Sequence, residues 1–284
     1  MPAPVPAGFT RGALVATGGH ESFSDTSTIL QYFWQLAGSF GARIAIIPTA
    51  SRDFGAAEQV RALFARWGVN WVELLPIRTR LDARSADAQA VIQHATAYFF
   101  TDGNPLRLST VLGGTPVAQA IRRGHARGKV VAGSGHAGAF LAEHMIAHAE
   151  KRPTPERGIV RFAPGLGLTN RVIFVADYTR EAWYGPLCVA VAANPFLLGV
   201  GIHANAAVVL HPGNLLEGVG AVAAALANGS GITHTNLYEV PFGQSVAIEG
   251  IEFQQLPHDH YYNIDQRGLH EEENILAEPA RSSF

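Results

Sequence analysis

The sequence predicts an α/β fold in which a mostly parallel central sheet lies between two layers of helices, a three-layer sandwich. Short apolar runs alternate with segments of helical spacing through the first two thirds of the chain, which is typical of a parallel sheet. Hydrophobic residues make up 48% of the 284 residues, enough for a large core. No linker rich in proline, serine or charge divides the chain, so we expect a single domain over residues 1–284.

The elements of the first half follow from apolar runs and from the residues that end them. Gly18 closes the first apolar run, Pro48 closes the second, and Gly68 ends a helical segment. The predicted strands are residues 13–17, 43–47, 70–75, 97–100 and 129–132. The predicted helices are residues 28–37, 56–67, 87–94, 115–124 and 137–148. The turns that follow parallel strands are expected to line one crevice at the carboxyl edge of the sheet.

Strand patterns dominate the last third of the chain. They predict the far side of the sheet and an antiparallel edge, at residues 172–175, 198–202, 207–210, 246–248 and 251–256. Residues 265–284 are polar, with three consecutive glutamates at 271–273. This segment is expected to be a mobile tail or an arm that contacts a partner.

Composition excludes several classes of function. The formal net charge is -2 and no basic stripe is present, which argues against nucleic acid as a partner. The N-terminal residues lack the pattern of a signal peptide, and no apolar run is long enough to cross a bilayer. A single cysteine, Cys188, is typical of a reducing compartment. We therefore expect a cytoplasmic protein with no membrane contact.

A glycine-rich turn follows the predicted strand at 129–132. Gly133, Gly135 and Gly138 allow a sharp, closely packed turn, and a helix is expected after it. Strand, glycine-rich turn and helix is the plan of a nucleophile elbow, which raises one side chain at the mouth of a parallel sheet. In this sequence the residue expected to project is His136.

The chain resembles the cyanophycinase-type serine peptidases from about residue 12 to about residue 264. The resemblance is carried by Gly-Ala-Leu-Val-Ala-Thr-Gly-Gly-His-Glu at 12–21, Phe-Phe-Thr-Asp-Gly-Asn-Pro-Leu-Arg-Leu at 99–108, the glycine-rich turn, Gly-Leu-Gly-Leu at 165–168 and Gly-Val-Gly-Ile at 199–202. It implies a glutamine-amidotransferase-like fold, a homodimer, and hydrolysis of peptides at aspartyl linkages.

Three catalytic motifs of that family are altered in this sequence. Matching the turn from its end places His136 at the position of the serine, and matching from its start places Gly135 there. Asp177 stands where the family has its base histidine, and His203 stands where it has an acid. The substrate-binding Asp-Gln of the family is replaced by Asn-Pro at 104–105.

The residue types that stand at these three positions predict a metal site. Two imidazoles and a carboxylate, from His136, Asp177 and His203, are a ligand set of zinc and of non-haem iron(II). A bound divalent ion would supply hydroxide in place of serine, with His20 as a further ligand and Glu21 or Asp102 as the proton-transfer group. The resulting hypothesis is a metal-dependent hydrolase acting on a small amide or amino-acid-derived substrate.

Two alternative hypotheses stay open. In the first, the chain is a peptidase homologue that binds a ligand or partner without turnover. In the second, it is a serine peptidase in which Ser134 is a displaced nucleophile and His136 is its base. His144 and His148 are one turn apart in the predicted helix and are interpreted as a surface pair rather than a site.

Overall fold

The computed structural model describes residues 1–220, 222 and 224–271. The strands up to the middle of the chain are β1 (Leu14–Thr17), β2 (Arg43–Ile47), β3 (Trp71–Leu74), β4 (Ala97–Phe100), β5 (Val130–Gly133), β6 (His144–Ala149), β7 (Val160–Pro164) and β8 (Val172–Val175). The later strands are β9 (Leu198–Ile202), β10 (Ala207–His211), β11 (Leu215–Val219), β12 (Ala224–Asn228), β13 (His234–Thr235), β14 (Ile248–Glu249), β15 (Glu252–Leu256), β16 (His260–Asn263) and β17 (Gly268–Glu271).

The helices lie mostly in the crossovers between parallel strands. They are α1 (Thr28–Leu36), α2 (Gly55–Arg66), α3 (Ala86–His94), α4 (Pro105–Leu112), α5 (Pro116–His125) and α6 (Arg180–Ala193). Short 3-10 helices lie at Ser39–Gly41, Asp82–Arg84 and Gly135–Leu141. None of the helices in the described part of the chain has the length and hydrophobicity needed to cross a bilayer.

The central sheet confirms the predicted fold class. Within the described residues, nine strands pair in the order β17-β16-β11-β10-β1-β5-β4-β2-β3. The five strands from β1 to β3 in this order are parallel, and β10, β11, β16 and β17 add the expected antiparallel part. The sequence did not predict a second sheet. In the structure β15, β12, β9 and β8 form a separate four-stranded sheet.

Alternating side chains divide the core between the two faces of the central sheet. In β1, Leu14 and Ala16 pack into the cluster that contains residues of α3, α4 and α5. Val15 packs into the opposite cluster, with residues of α1 and α2. This two-residue period is expected of a strand buried on both faces, and it produces the three layers.

Polar caps fix where several helices begin. Ser27, Ser85, Thr115 and Thr179 each accept a hydrogen bond from a backbone N–H in the first turn of α1, α3, α5 and α6. Asn104 caps α4 in the same way, and Pro105 occupies its first turn. The Asn-Pro pair at 104–105 therefore has a structural role as a helix start.

The predicted helix at 137–148 is wrong. The chain forms a 3-10 helix that ends at Leu141 and then enters β6, which pairs with β7. The carbonyl oxygens of Phe140, Leu141 and Ala142 accept hydrogen bonds from the backbone N–H groups of residues 166, 168 and 167. These carbonyls are therefore unavailable to an α-helix, and His144 and His148 lie on a strand instead.

The segment predicted as a tail begins inside the fold. Strand β17 pairs with β16 at the edge of the central sheet, between residues 268 and 271. Residues 272–284, including two of the three glutamates, lie outside the described residues.

Candidate active site

The candidate site lies at the carboxyl edge of the central sheet, where the turns after β1, β4 and β5 meet. Thr17, the last residue of β1, ties two of these turns together. Its hydroxyl oxygen accepts the N–H of Gly135 at 2.9 Å and the N–H of Gly19 at 3.3 Å. The second sheet closes one side, because the N–H of Asp177, just after β8, donates to the carbonyl of Gly18 at 2.9 Å.

The apex of the turn after β5 is Gly135. Its φ of 51° lies in the left-handed region, which residues other than glycine adopt only at a cost in free energy. A Cβ atom at this position would lie 2.4 Å from Cγ and Oδ2 of Asp102 and 2.6 Å from Oδ1. The carboxylate of Asp102 thus fills the space where a projecting nucleophile at position 135 would begin.

The next residue, His136, pairs with the same carboxylate. Asp102 accepts the backbone N–H of His136 at 2.9 Å, and Oδ1 lies 3.5 Å from Nδ1 of the imidazole. Both side chains are 47% exposed, so the pair faces the solvent of the crevice. The sequence predicts that His136 projects into the crevice and that Asp102 lies beside the crevice, but it does not predict that the two side chains pair.

The two groups shift each other's pKa. A hydrogen bond with Asp102 raises the pKa of His136, against the opposing effect of burial. Burial favours the neutral form of Asp102, but hydrogen bonds from His136 and from the Gly103 N–H outweigh it and lower its pKa. Asp102 is therefore the anion of the pair, and His136 titrates above the ordinary value of histidine.

Asp177 and Lys151 form a second charge pair near His136. Oδ2 of Asp177 lies 3.9 Å from Nζ of Lys151. The positive charge of Lys151 lowers the pKa of His136 and the negative charge of Asp177 raises it. The sequence analysis did not identify Lys151, because a lone lysine in a loop gives no signal of this contact.

His203 lies beneath the turn after β1 and contacts Tyr178. The two rings meet edge to face, with centroids 5.4 Å apart. Burial lowers the pKa of His203. A Cβ atom on Gly18 would lie 1.8 Å from the carbonyl oxygen of His203, which explains why glycine occupies that position in the turn.

The structure does not support the metal site expected at His136, Asp177 and His203. Among the described residues, no group of three or more His, Cys, Asp or Glu side chains is placed to hold a metal ion. The carboxylate of Asp177 faces Lys151, the ring of His203 packs on Tyr178, and His20 is exposed. Residue types at the matching positions predicted the ligand set, but the directions of the side chains do not bring it together.

Ser134 and Glu21 form a buried pair below the crevice. The hydroxyl of Ser134 donates to Oε1 of Glu21, and the hydroxyl of Thr17 donates to Oε2 at 3.1 Å. Ser134 is 3% exposed and Glu21 is 7% exposed. The hydroxyl proton of Ser134 is thus bound by a carboxylate, not by the imidazole of His136 as the displaced-serine alternative expects.

Comparisons with known proteins confirm the resemblance. The model of peptidase family S51 matches residues 13–216. A cyanophycinase from Geminocystis herdmanii (strain PCC 6308) is 30% identical over 257 residues, which cover 90% of this chain and 94% of that protein. A cyanophycinase from Nostoc sp. (strain PCC 7120 / SAG 25.82 / UTEX 2576) is 32% identical over 261 residues, covering 91% and 87%.

A solved structure shows the same fold. The crystal structure of a peptidase from an acI-B1 Actinobacterium matches with a TM-score of 0.64 and 20% sequence identity, over 90% of this chain and 98% of that chain. At this identity the match concerns the fold, which agrees with the expected glutamine-amidotransferase-like sandwich.

Proposed function

Because the chain belongs to peptidase family S51, we propose that it hydrolyses an amide bond, with water as the nucleophile and the His136–Asp102 pair as the proton-transfer group. The observation that carries this proposal is the position of the pair. An imidazole and a carboxylate face the crevice beside an elbow apex, Gly135, that has no side chain. The half-exposed imidazole is the group best suited to move protons near neutral pH in this crevice.

The proposed chemistry follows from the charges of the pair. Asp102, held as an anion, faces Nδ1 of His136 and favours the tautomer with its proton on that nitrogen. The other ring nitrogen then accepts a proton from water as the oxygen attacks the carbonyl carbon of the substrate. The imidazolium returns this proton to the leaving amine when the C–N bond breaks. Lys151 places a positive charge on the same side of the crevice.

The proposed substrate is a small peptide or another amino-acid-derived amide. Two relatives are cyanophycinases, which favours aspartyl linkages as the first substrates to test. The Asn104-Pro105 pair caps α4 in this chain, so the contacts made by the family's Asp-Gln are expected to change. A homodimer, expected from the resemblance, stays a prediction.

A second candidate function is ligand binding without turnover. One specific observation favours it: Asp102 accepts the backbone N–H of His136 and fills the space above Gly135. Backbone N–H groups at such a turn serve in serine peptidases to bind the developing oxyanion, and here that N–H already has a partner. The protein would then recognise a peptide in the crevice and release it unchanged.

The test is an amide-hydrolysis assay on a set of α- and β-aspartyl dipeptides, followed by liquid chromatography of the products. We expect turnover by the wild-type protein and a loss of about 10²- to 10⁴-fold in His136→Asn. His148→Asn, at an exposed position on β6, is the matched control and should keep full activity.

Three other results separate the alternatives. Loss of turnover in Ser134→Ala, together with labelling by a fluorophosphonate probe, would replace our proposal with the displaced-serine peptidase. Activity that requires added zinc or iron(II) and disappears with a chelator would restore the metal hypothesis. Binding of a dipeptide in calorimetry, with no products under any of these conditions, would identify a binding protein.

A further inference from the structure

A groove lined by arginines lies at the carboxyl edge of the central sheet, next to the candidate active site. Its volume is about 490 Å³, and Arg52, Asn104 and Arg107 are part of its lining. Arg52 and Arg107 also line an adjoining groove of about 250 Å³, together with Arg78. Arg52 follows β2 and Arg78 follows β3, so both lie at the edge where parallel strands end. We call Arg52, Arg78 and Arg107 the arginine cluster.

A single turn connects the arginine cluster to the proposed proton-transfer pair. In the turn after β4, Asp102 contacts His136, whereas Asn104 lines the groove. Two residue steps of chain span at most about 7 Å. The same turn packs directly on the turn after β2, because a Cβ atom on Gly103 would lie 2.6 Å from the carbonyl oxygen of Ala50. A peptide bound at the pair therefore needs about two further residues to reach the cluster.

Hydrogen bonds fix the three turns that surround the cluster. The hydroxyl of Thr49 donates to the carbonyl of Ile77 at 2.8 Å, which joins the turns after β2 and β3. The N–H of Asn104 donates to the carbonyl of Ala50 at 3.0 Å, which joins the turns after β4 and β2. Nε of Arg107 donates to the carbonyl of Thr49 at 2.7 Å. The backbone that carries the cluster is thus held in place before any ligand arrives.

The positive charges of the cluster are largely without counter-ions. No aspartate or glutamate among the described residues lines either groove. Asp53, next to Arg52, accepts the N–H of Gly55. Backbone N–H groups of residues 78 and 79 lower the pKa of Asp82, and the charge of Arg78 adds to this effect. Like charges around a shared space repel one another, and a bound anion relieves that repulsion.

The guanidinium groups are accessible to a ligand. Arg52 and Arg78 are exposed and Arg107 is half-buried. The side chain of Arg52 makes no hydrogen bond or ion pair with any described residue, and Arg78 lies over the ring of Phe54, 4.8 Å from its centroid. Within the same part of the chain, Nε is the one atom of the Arg107 guanidinium that has a partner. A planar guanidinium matches a carboxylate, which accepts two of its N–H groups at once.

We propose that the substrate is an acidic peptide, and that the arginine cluster binds a carboxylate side chain about two residues from the scissile amide. The position of the scissile amide rests on the proposed function, whereas binding of the carboxylate does not require turnover. A peptide with a cationic side chain at the same position would be repelled by the cluster. The groove would thus select among amide substrates by charge.

The test uses three peptides that differ in one side chain: β-aspartyl-glycyl-glutamate, β-aspartyl-glycyl-glutamine and β-aspartyl-glycyl-arginine, all with amidated C-termini. Affinity is measured by calorimetry on His136→Asn, and kcat/KM is measured on the wild-type protein by liquid chromatography. We expect the glutamate peptide to bind about fivefold or more tightly than the glutamine peptide, and the arginine peptide to bind most weakly. The preference should shrink between about 0.05 M and 0.5 M salt.

Variants locate the preference. Arg52→Gln should reduce the ratio of glutamate to glutamine affinity about threefold or more. The side chain of Arg52 has no contact that supports the fold, so the variant should unfold at the same urea midpoint as the wild type. Arg123→Gln, at an exposed position in the last turn of α5, is the matched control. It removes the same charge near the amino end of β5 and should keep the wild-type ratio.

Failure of this proposal can be told apart from failure of the proposed function. Hydrolysis of the three peptides with equal kcat/KM would keep the function and overturn the specificity. Preferential binding of the glutamate peptide without hydrolysis would reject the function and support the anion site. An equal fall of the ratio in Arg52→Gln and Arg123→Gln, a preference that does not respond to salt, or no binding of any peptide would each overturn the proposal.

Discussion

The carboxylate of Asp102 lies in the space that the Cβ atom of any residue other than glycine at position 135 would enter. Asp102 lies in the turn after β4 and Gly135 in the turn after β5. A Cβ atom on Gly135 would lie only 2.4 Å from Cγ and Oδ2 of Asp102. The apex of the turn after β5 therefore has a positive φ and no side chain, and the space above it holds a carboxylate from the turn after β4. This relationship distinguishes the site from one built on a projecting serine.

Replacing Gly135 with alanine should destabilise the protein through two separate effects. The left-handed backbone costs about 1–3 kcal/mol for a residue with a Cβ, and the overlap with Asp102 adds about 1–3 kcal/mol. Gly114→Ala is the control, because Gly114 has a φ of 72° with nothing within 4 Å of its Cβ position. Urea unfolding should show a larger loss at position 135, and equal losses would mean that Asp102 moves aside freely.

The His136–Asp102 pair should give a specific pH dependence of stability. The pKa of His136 is raised in the folded protein, so its contribution is complete below the ordinary value of 6.5 and is lost as pH rises through the folded pKa. The pKa of Asp102 is lowered, so its contribution is present above the ordinary value of 3.8 and is lost as pH falls through the folded pKa. The pair thus stabilises the fold most between about pH 4 and pH 6.5.

Solvent screening keeps this effect small, because both side chains are about half exposed. The difference in urea midpoint between the wild type and His136→Asn should be largest inside that window and shrink on either side. An NMR titration of His136 should give a pKa above 6.5 in the wild type and a lower one in Asp102→Asn. An unchanged titration in Asp102→Asn would show that the two side chains do not interact in solution.

The strands around the site could be predicted because each is a short apolar run buried on both faces. Predicted residues 13–17 and 97–100 correspond to β1 and β4, so the turns that carry Gly18 and Asp102 were placed correctly. The helix at 137–148 was predicted wrongly because its true partners, at residues 164–168, are distant in sequence. Local spacing does not reveal that the carbonyls of Phe140 and Ala142 are already taken.

In the candidate site, too, the sequence predicted some features and missed others. The sequence identified His136 and Asp102 as candidates because strand ends of a parallel sheet converge on one edge. It did not predict that Asp177 faces Lys151 or that His203 packs on Tyr178, because the direction of a side chain depends on packing that no local pattern encodes. The metal hypothesis depended on those directions, and for that reason it lacks support from the structure.

Ser134→Ala should reduce stability and leave the His136 titration unchanged. The substitution leaves Oε1 of Glu21 buried without its hydroxyl donor, which costs about 1–3 kcal/mol. Ser22→Ala, at an exposed position, is the matched control and should change the free energy of unfolding by less than about 0.5 kcal/mol. A fluorophosphonate probe should not label Ser134 in the wild type. Strong labelling would show that the buried hydroxyl is reactive and would contradict its structural role.

Thr17 should control the stability of the whole turn region through its hydroxyl. That oxygen accepts the N–H of Gly135 and donates to Glu21, so Thr17→Val leaves a buried N–H and a carboxylate oxygen without partners. The expected cost is about 1–3 kcal/mol for each buried group left unpaired, although the shape of the side chain is kept. Thr17→Ser retains the hydroxyl and should recover most of the loss in urea unfolding. Amide hydrogen exchange at Gly135 should accelerate in Thr17→Val and not in Thr17→Ser, because only the first variant removes the acceptor that protects this N–H. Equal exchange rates in the two variants would show that the hydroxyl does not hold the turn.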